Sequence, residues 1–435
     1  MIQPVPFFKT PFWYNWLLAC IKPIYRWRLN KRSGHLADFQ DELTERFGPF
    51  QPAKNRQVIW FHAVSVGETN AAQPLVEHYL QQGQPVLITN TTRTGQARAK
   101  ALFAQRYPEL FQAVFLPVDQ QPLLDAFIDC YQPKILLLME TELWPNLLQC
   151  VAQRGIPQLL LNARLSEKSA KGYAKLKRLT YPMLSQLNWI AAQDQATLQR
   201  FADLGKSVSE MSVVGNVKFD ITEPDWVVTK AAQLKQDWQL SHRKIMVLAS
   251  THAPEELQLL TELKAALQAD PSLLCIVVPR HPERFDEVFQ ITQQLGLNTK
   301  RRSLQQAVDT DTQVYLADSM GELWLWYALS QVAYVGGSLN EPGGGHNILE
   351  PVALDVATVL GKNYFNFQVI VDEFVKQGAV NIVQDAVQAQ KELLALLENT
   401  DQRQHMLQHA TTILHSNQGS VLRHIQLIDQ FLASV

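Results

Sequence analysis

A glutamate at the start of a predicted helix is the first residue of this sequence that could carry acid–base chemistry. The apolar run 58–62 predicts a buried strand, and the segment after it leads through Gly67 to Glu68. The N-terminus of a helix favours an ionised carboxylate, which is the form that accepts a proton from a hydroxyl group. A glutamate that only caps the first turn is the alternative, and on position alone it is the more common one. Both interpretations of Glu68 stay open at this point.

Polar and charged residues also follow the next predicted strands. The segment 89–95 contains four threonines and Arg93, which suit an anionic or a sugar ligand. Helix capping would explain the hydroxyl groups but gives Arg93 no role. The apolar run from Ile135 ends in Glu140, and Glu142 follows. These two carboxylates could act as an acid–base pair, clamp sugar hydroxyls or bind neighbouring backbone, and their spacing does not separate the three.

A run of basic residues follows the strand predicted at 159–162. It begins with Arg164 and includes five further cations up to Arg178. A solvated helix face is the ordinary interpretation of such a run. A site for an anionic acceptor is the more specific alternative.

The strongest local signal is glycine-rich and lies late in the chain, at 336–338 and 343–351. Glycines let backbone amides approach a phosphate, and a helix predicted from Asn347 would point its positive end at it. Glu350, one turn into that helix, could accept hydrogen bonds from two ribose hydroxyls. A glycine-rich hairpin is the alternative, but it does not require His346, Asn347 and Glu350 at these offsets. The segment therefore predicts a nucleotide-binding loop.

Apolar runs alternate with helix-length segments through most of the chain, which indicates parallel sheets covered by helices on both faces. The pattern pauses at Thr-Glu-Pro-Asp, residues 222–225, and then resumes. We therefore predict an α/β protein with two doubly wound, Rossmann-like domains that face each other across a cleft. The predicted divisions are an N-terminal helix over 1–35, domains over 36–222 and 223–415, and a C-terminal helix over 416–435.

The N-terminal segment is basic and aromatic. Residues 1–37 contain six Lys and Arg residues, no acidic residue and many aromatic side chains, but no apolar run near the ~20 residues that a spanning helix needs. This pattern predicts a helix, bent near Pro23, that lies in the headgroup region of an anionic lipid surface. A helix packed on its own domain is the alternative.

Composition excludes several classes of protein. Hydrophobic residues make up 46% of the 435 residues and charged residues 18%, which excludes a mainly disordered chain. The net charge of -2 disfavours a nucleic-acid-binding protein. The four cysteines form no CxxC pair, so they predict neither a zinc site nor a disulfide framework.

Four motifs together resemble a known family. They are Ser-Val-Gly-Glu at 65–68, Glu-Leu-Trp-Pro-Asn at 142–146, Arg-His-Pro-Glu-Arg at 280–284 and Gly-Gly-His-Asn-Ile-Leu-Glu-Pro at 344–351. The chain resembles the Kdo (3-deoxy-D-manno-octulosonic acid) transferases of lipopolysaccharide and lipid A biosynthesis, which are inverting glycosyltransferases of the GT-B fold. The last motif alone would fit several GT-B families, and the first two narrow the choice. The resemblance runs from the N-terminus to about Gly361.

The resemblance implies a role for each matched position. Glu68 would be the general base that deprotonates the acceptor hydroxyl. The donor would be CMP-Kdo and the acceptor the tetraacylated lipid A precursor, lipid IVA, at the cytoplasmic face of the bacterial inner membrane, where the protein would be peripheral or monotopic. No cofactor or metal ion is implied, because basic groups and helix termini can stabilise the departing CMP. The implied donor-binding residues are Arg280, Met320, Gly321, Gly345, Asn347 and Glu350, and the implied acceptor-binding residues are Arg93, Glu142 and Arg164.

Two other functions are compatible with parts of the sequence. A sugar-nucleotide 2-epimerase of the same architecture would keep the glycine-rich loop but has no need for a basic aromatic N-terminus. A non-catalytic protein of the lipid surface would have no need for Glu68 and Glu350.

Overall fold

A computed structural model describes residues 9–434, which fold into two compact units. Among these residues, the first unit comprises 9–220 together with 418–434, and the second comprises Ile221–Asn417. The division lies at the start of the segment 220–225, where the sequence pattern pauses. The last helix, which we expected as a separate C-terminal segment, belongs to the first unit.

The first unit is built on a seven-stranded parallel sheet of order β3-β2-β1-β4-β5-β6-β7. Strands β1 to β7 are Ile59–His62, Val86–Asn90, Phe111–Phe115, Ile135–Met139, Gln158–Ala163, Trp189–Ala192 and Met211–Val213. Helices α1 to α9 are Phe12–Ser33, Phe39–Phe47, Val66–Gln81, Arg93–Phe103, Gln121–Tyr131, Pro145–Gln153, Glu167–Lys175, Lys177–Ser185 and Gln195–Asp203. Strands β1, β2, β4 and β5 are buried along their whole length, which is why they appear in the sequence as continuous apolar runs.

The second unit repeats this architecture with a sheet of order β10-β11-β9-β8-β12-β13-β14. Strands β8 to β14 are Lys244–Thr251, Leu273–Pro279, Thr299–Arg301, Val314–Leu316, Val332–Val335, Ala357–Gly361 and Asn381–Val383. Helices α10 to α17 are Trp226–Asp237, Glu255–Ala269, Phe285–Gln294, Leu323–Leu329, Leu349–Ala353, Gln368–Lys376, Ala386–Glu398 and Thr400–Asn417. The sequence did not predict β10 and β14, because these three-residue edge strands are largely half-buried and form no apolar run.

Each sheet has one point at which the order of its strands reverses. In the first sheet this point lies between β1 and β4, and in the second between β8 and β12. Connections on the two sides of such a point leave the sheet in opposite directions, so a crevice opens at the carboxyl ends of the two strands. The residues that follow β1, β4, β8 and β12 are therefore the ones that the fold places in ligand-binding positions.

Helix α1 presents one face to the protein and another to the outside. Tyr14 donates a hydrogen bond of 2.8 Å to Asp119, and the Asn146 side chain donates one of 2.8 Å to Asn15. The opposite face carries exposed Trp16 and several further apolar side chains. The helix continues through Pro23. Within the described residues, no helix combines the length and apolarity needed to cross a bilayer.

Helix α18, Ser420–Leu432, closes the first unit. Asp220 accepts hydrogen bonds from the backbone N–H groups of Gly419 and Val421 at the start of this helix. Farther along, the buried imidazole of His424 contacts Asn162 in β5. The segment 418–432 therefore completes the first unit although it follows the second unit in the sequence.

Candidate active site

Glu68 caps the helix that follows β1. Ser65 is the N-cap residue of α3, and its hydroxyl oxygen accepts the backbone N–H of Glu68 at 3.4 Å. In return, Glu68 Oε1 accepts a hydrogen bond of 2.9 Å from the Ser65 hydroxyl, and Oε2 accepts one of 2.8 Å from the backbone N–H of Val64. This is similar to a capping box, except that the carboxylate accepts the N–H of Val64, which precedes the N-cap residue, and not that of Ser65. It fixes the orientation of the carboxylate and leaves each oxygen with a further lone pair.

The ionisation of Glu68 is set by burial. The pKa of Glu68 is raised to about 7. Burial is the largest cause, the charges of Glu142 and Glu140 add to it, and the hydrogen bonds from Val64 and Ser65 oppose it. The expectation that the helix N-terminus would leave this carboxylate favoured in its ionised form is therefore wrong in its net effect. A carboxylate with a pKa near 7 is matched to general-base chemistry at neutral pH, because it ionises there and still binds a proton well.

Two more carboxylates follow β4, on the other side of the reversal point. Glu140 has a φ of 58°, an uncommon conformation for this residue type. Its carboxylate lies 3.7 Å from the Arg164 guanidinium and 3.8 Å from the Lys218 ammonium. Glu142 accepts a hydrogen bond of 3.0 Å from the indole N–H of Trp144, and burial raises the pKa of Glu142. The ends of β1, β4, β5 and β7 thus bring three carboxylates and two cations into one cluster.

Arg93 has a role that the sequence did not suggest. Its guanidinium pairs with Asp38 and, at 2.5 Å, with the buried carboxylate of Glu42. The Thr92 hydroxyl oxygen caps the same helix by accepting the N–H of Gly95 at 3.1 Å. Arg93 therefore ties α2 to the start of α4, which is a structural role. The half-exposed Arg164 is the more available of the two arginines that we assigned to the acceptor.

The predicted donor residues of the second unit lie along one edge of its sheet. Arg280 directly follows β9 and is exposed, and Met320 and Gly321 lie between β11 and α13. Met320 is exposed, and Gly321 has a φ of 83° that favours glycine in this turn. Because β11 pairs with β9 in a parallel sheet, these residues lie at the carboxyl ends of adjacent strands.

The glycine-rich segment after β12 is organised by a buried carboxylate. The Glu255 side chain, 1% exposed, accepts hydrogen bonds from the backbone N–H groups of Gly337 at 2.7 Å, Ser338 at 3.0 Å and Leu339 at 2.9 Å. It also accepts the N–H of His252 at 2.9 Å. Successive N–H groups of this kind form the nests in which phosphates bind. Here the protein's own carboxylate occupies the nest.

The amides of the second glycine run are also engaged. The Gly345 N–H donates to the Gly337 carbonyl at 2.7 Å, and the Gly344 N–H donates to the Asn363 carbonyl at 3.0 Å. The expectation that Gly345 and its glycine neighbours offer amides to a phosphate is therefore wrong for these groups. A glycine is favoured at position 345 for a structural reason. Its φ is 70°, and a Cβ there would lie 3.2 Å from Tyr364.

Asn347 and Glu350 lie together at the start of α14. Asn347 Oδ1 accepts the N–H of Leu349 at 3.1 Å, and its Nδ2 donates to Glu350 Oε1 at 3.3 Å. Burial raises the pKa of Glu350. Helix α14 is a single turn of five residues, so the expectation of a helix dipole directed at a phosphate is wrong as well.

Three features of these sites were missed from the sequence. Lys218 follows β7, the last strand of the first sheet, and a position beyond the carboxyl end of a parallel strand is the signal that could have identified it. Glu255 has the local pattern of an ordinary acidic residue in the first turn of a helix. The amides that it binds lie 82 to 84 residues later in the chain, so the local sequence does not indicate them. His252 and His346, 2.9 Å apart between their Nε2 atoms, have no local signal either.

Comparison with known proteins identifies the family. The family model described as 3-deoxy-D-manno-octulosonic-acid transferase (kdotransferase) matches residues 41–221. The 3-deoxy-D-manno-octulosonic acid transferase of Haemophilus influenzae is 37% identical over 427 residues, which cover 97% of this chain and 98% of that protein. The C-terminal CMP-Kdo binding domain of WaaA from Acinetobacter baumannii is 59% identical, with 43% of this chain and 98% of that domain covered and a TM-score of 0.43.

A more distant likeness concerns the fold alone. The UDP-GlcNAc 2-epimerase from Neisseria meningitidis aligns with a TM-score of 0.55 and 13% identity over 87% of this chain and 100% of that protein. The two seven-stranded parallel sheets and this likeness confirm the predicted GT-B fold class. The sequence relatives do not favour the epimerase alternative, and they confirm the glycosyltransferase class. The chain belongs to the family of 3-deoxy-D-manno-octulosonic acid transferases.

Proposed function

We propose that this Kdo transferase moves Kdo from CMP-Kdo to the tetraacylated lipid A precursor, lipid IVA, by a direct displacement that inverts the anomeric carbon. The acceptor hydroxyl attacks that carbon, its proton passes to Glu68, and CMP leaves. The first unit would bind the acceptor and the second unit the donor. Family membership supports the transferred sugar, and the geometry of the two strand-reversal points supports the assignment of roles.

One observation carries the assignment of the base. Glu68 stands at the reversal point of the first sheet, held by two local hydrogen bonds, and burial raises its pKa to about 7. A base in a single-displacement transfer must be ionised at neutral pH and must bind the acceptor proton as the bond forms. Glu68 meets both requirements. Glu140 is less suited, because its carboxylate already lies within 4 Å of two cations.

The acceptor assignment rests on charge. A lipid A precursor carries phosphates, and the exposed Arg164 is followed by Lys168, Lys171, Lys175 and other cations on α7 and α8. Lys171 pairs with Glu167 at 2.6 Å, and Glu167 is the one acidic residue between Arg164 and Asp194. This basic surface suits the phosphates of the acceptor or the headgroups around it.

Helix α1 supplies an apolar surface for a membrane-embedded acceptor. Its outward face carries Trp13, Trp16, Leu17, Ile24 and Trp27, each between 43% and 62% exposed, at the spacing of one helix face. Lys31 lies over the Trp27 ring at 5.6 Å, at the end of the same face. An aromatic face next to cations is typical of helices that lie in the headgroup region. We therefore infer a peripheral or monotopic place at the cytoplasmic face of the bacterial inner membrane.

Substitution of Glu68 tests the proposal. Glu68→Gln keeps the size of the side chain but cannot accept the proton, so transfer to the lipid acceptor should fall at least a thousandfold, about 4 kcal/mol in activation free energy. CMP binding, measured by calorimetry, should stay within twofold of the wild type. Glu77→Gln, farther along α3 and paired with Arg106 at the surface, is the matched control and should keep full activity.

Two results would contradict this assignment. A Glu68→Ala variant that retains a tenth of the wild-type rate loses only about 1.4 kcal/mol, which is too little for a catalytic base. A product with retained anomeric configuration, seen by NMR of the glycosylated acceptor, would exclude the single displacement.

A further inference from the structure

Three histidines surround the place where the second sheet reverses its strand order. His252 follows β8, His281 follows β9, and His346 lies in the loop after β12. The Nε2 atoms of His252 and His346 are 2.9 Å apart, and the rings of His252 and His281 are 5.0 Å apart. The backbone of Gly337 forms one wall, since a Cβ there would lie 3.0 Å from His346 and 3.2 Å from His252. Nothing in the proposed displacement uses these imidazoles.

The histidines lie at a site where several backbone donors are already engaged. Glu255 holds the amides of Gly337 and Ser338, and the amide of Gly345 is bonded within the loop. An anionic group that enters this crevice cannot use these amides, so side chains must supply part of its hydrogen-bond donors. Arg280, at the carboxyl end of the neighbouring strand β9, supplies a permanent positive charge there.

The contact between the two Nε2 atoms limits the protonation states that the pair can adopt. Two imidazole nitrogens 2.9 Å apart share one proton, because one must donate and the other accept. A neutral pair satisfies this contact with one N–H, and a singly protonated pair satisfies it while adding a positive charge. A doubly protonated pair would bring two cations into contact.

The charged groups around the pair explain why it is neutral without an anion. The pKa of His252 is lowered, and that of His346 is lowered to about 4. Burial is the largest cause for both, His252 is the next for His346, and Arg280 and His281 contribute to both. Glu255 and Glu256 oppose this only for His252. An anion placed against the pair would reverse the balance, since it would favour the protonated form.

We propose that His252, His281 and His346, together with Arg280, form the subsite for the anionic phosphate of the donor, and that this group binds together with one proton taken from solvent. The proton enters the His252–His346 contact, so the pair becomes an imidazole–imidazolium cation as the anion arrives. The inference rests on the proposed nucleotide donor and adds to it the groups that hold the phosphate. A metal ion is disfavoured as the occupant because Arg280 repels it, and residues 9–434 contain no group of three or more candidate ligands arranged for a metal.

Calorimetry of the full-length wild-type protein tests the proton. CMP is titrated at pH 7.5, where its phosphate is a dianion, in buffers of different ionisation enthalpy, so that the dependence of the observed heat on the buffer counts the protons taken up. The expected count is close to one for CMP and close to zero for cytidine, which lacks the phosphate. Between pH 7 and 8.5 the affinity for CMP should fall about tenfold per pH unit.

Variants assign the proton to the pair. In His346→Gln and in His252→Gln, the count should fall below about 0.2, and the affinity for CMP should lose its pH dependence while cytidine binding is unchanged. The matched control is His409→Gln, which alters a second pair of neighbouring histidines, His405 and His409, exposed on α17. It should behave as the wild type. Far-ultraviolet circular dichroism checks that each variant is folded.

The outcomes separate this inference from the proposed donor. CMP that binds with no proton, or with the same count in the wild type and both pair variants, overturns the inference and leaves the donor standing. If CMP does not bind, the donor is wrong, and inorganic phosphate titrated in the same way then decides the subsite. The inference is supported if phosphate binds with uptake of one proton and if this uptake disappears in His346→Gln. It is overturned if phosphate does not bind.

Discussion

The imidazole of His424 accepts a hydrogen bond of 2.9 Å from the backbone N–H of Asn162, a residue 262 positions earlier in the chain. The other ring nitrogen, Nδ1, donates to the carbonyl of Ser420 at 2.8 Å, so His424 is a neutral imidazole with both nitrogens engaged. Asn162 in turn precedes Arg164, which lies at the cluster of carboxylates around Glu68. The last helix of the chain therefore supports the strand end that carries this cluster.

This contact predicts a loss of stability in acid. Burial lowers the pKa of His424 to about 4 from its ordinary value of 6.5. The unfolded chain therefore binds a proton at a higher pH than the folded chain, and stability falls as the pH decreases from 6.5 to 4. His424 alone should contribute a loss on the order of 3 kcal/mol at pH 4.

Urea unfolding of His424→Gln measures this contribution. Glutamine does not titrate, so the decrease in the free energy of unfolding between pH 7 and pH 4.5 should be smaller than in the wild type. The exposed His415 of α17 gives the control, because His415→Gln should leave the pH dependence unchanged. Equal pH dependence in all three proteins would show that His424 is not the buried neutral histidine described.

The charge of Glu142 predicts the position of the acid limb of the pH–rate profile. Glu142 raises the pKa of Glu68, so removing its charge should lower that pKa and make the base ionise at lower pH. In Glu142→Gln the acid limb of kcat/KM, expected near pH 7 in the wild type, should move to lower pH. Glu109→Gln, at a glutamate 85% exposed on the same unit, should not move it. A limb that moves upward in Glu142→Gln would contradict the assignment of Glu68.

The hydrogen bonds of Glu255 predict that the stability and CMP affinity of the second unit depend on this one carboxylate. In Glu255→Gln one oxygen becomes an NH₂ group, which cannot accept a hydrogen bond, so either the amides of Ser338 and Leu339 or those of Gly337 and His252 lose their acceptor. Each buried N–H left without a partner costs about 1–3 kcal/mol, so the unit should melt at a markedly lower temperature and bind CMP at least tenfold more weakly. Glu262→Gln, on the same helix but half-exposed, should change neither. Wild-type CMP affinity in Glu255→Gln would mean that the loop does not depend on this carboxylate.

The outward face of α1 predicts binding to lipid. Replacing Trp16 and Trp27 together by glutamine removes two indoles, 62% and 60% exposed, that make no contribution to the core. Co-sedimentation with vesicles of anionic lipid should weaken about tenfold or more, with the thermal stability unchanged. The control is Trp226→Gln, at a tryptophan 44% exposed on the second unit. Equal sedimentation of the double variant and the wild type would exclude this face as the lipid-binding surface.

The order of elements was readable because buried parallel strands must be apolar on both faces. Residues 135–139 and 332–335, for example, are consecutive apolar residues, and both segments are strands in the structure. The edge strands Thr299–Arg301 and Asn381–Val383 escaped detection, since an edge strand can remain half-buried and polar. The N-terminal helix was likewise predicted from local composition, whereas its division into a docked face and an exposed face depends on Asp119 and Asn146, more than 100 residues away.

The sequence by itself determined two parallel α/β units, a family, and the segments that end at the functional edges of both sheets, because strand periodicity and motifs are local properties. Only the tertiary structure decided what those segments do. In the structure Arg93 pairs with Glu42, and Glu255 binds the amides of the glycine-rich segment. Burial raises the pKa of Glu68, and His252 lies 2.9 Å from His346. Burial and the partners of a charged group depend on residues distant in sequence, and no local pattern records them.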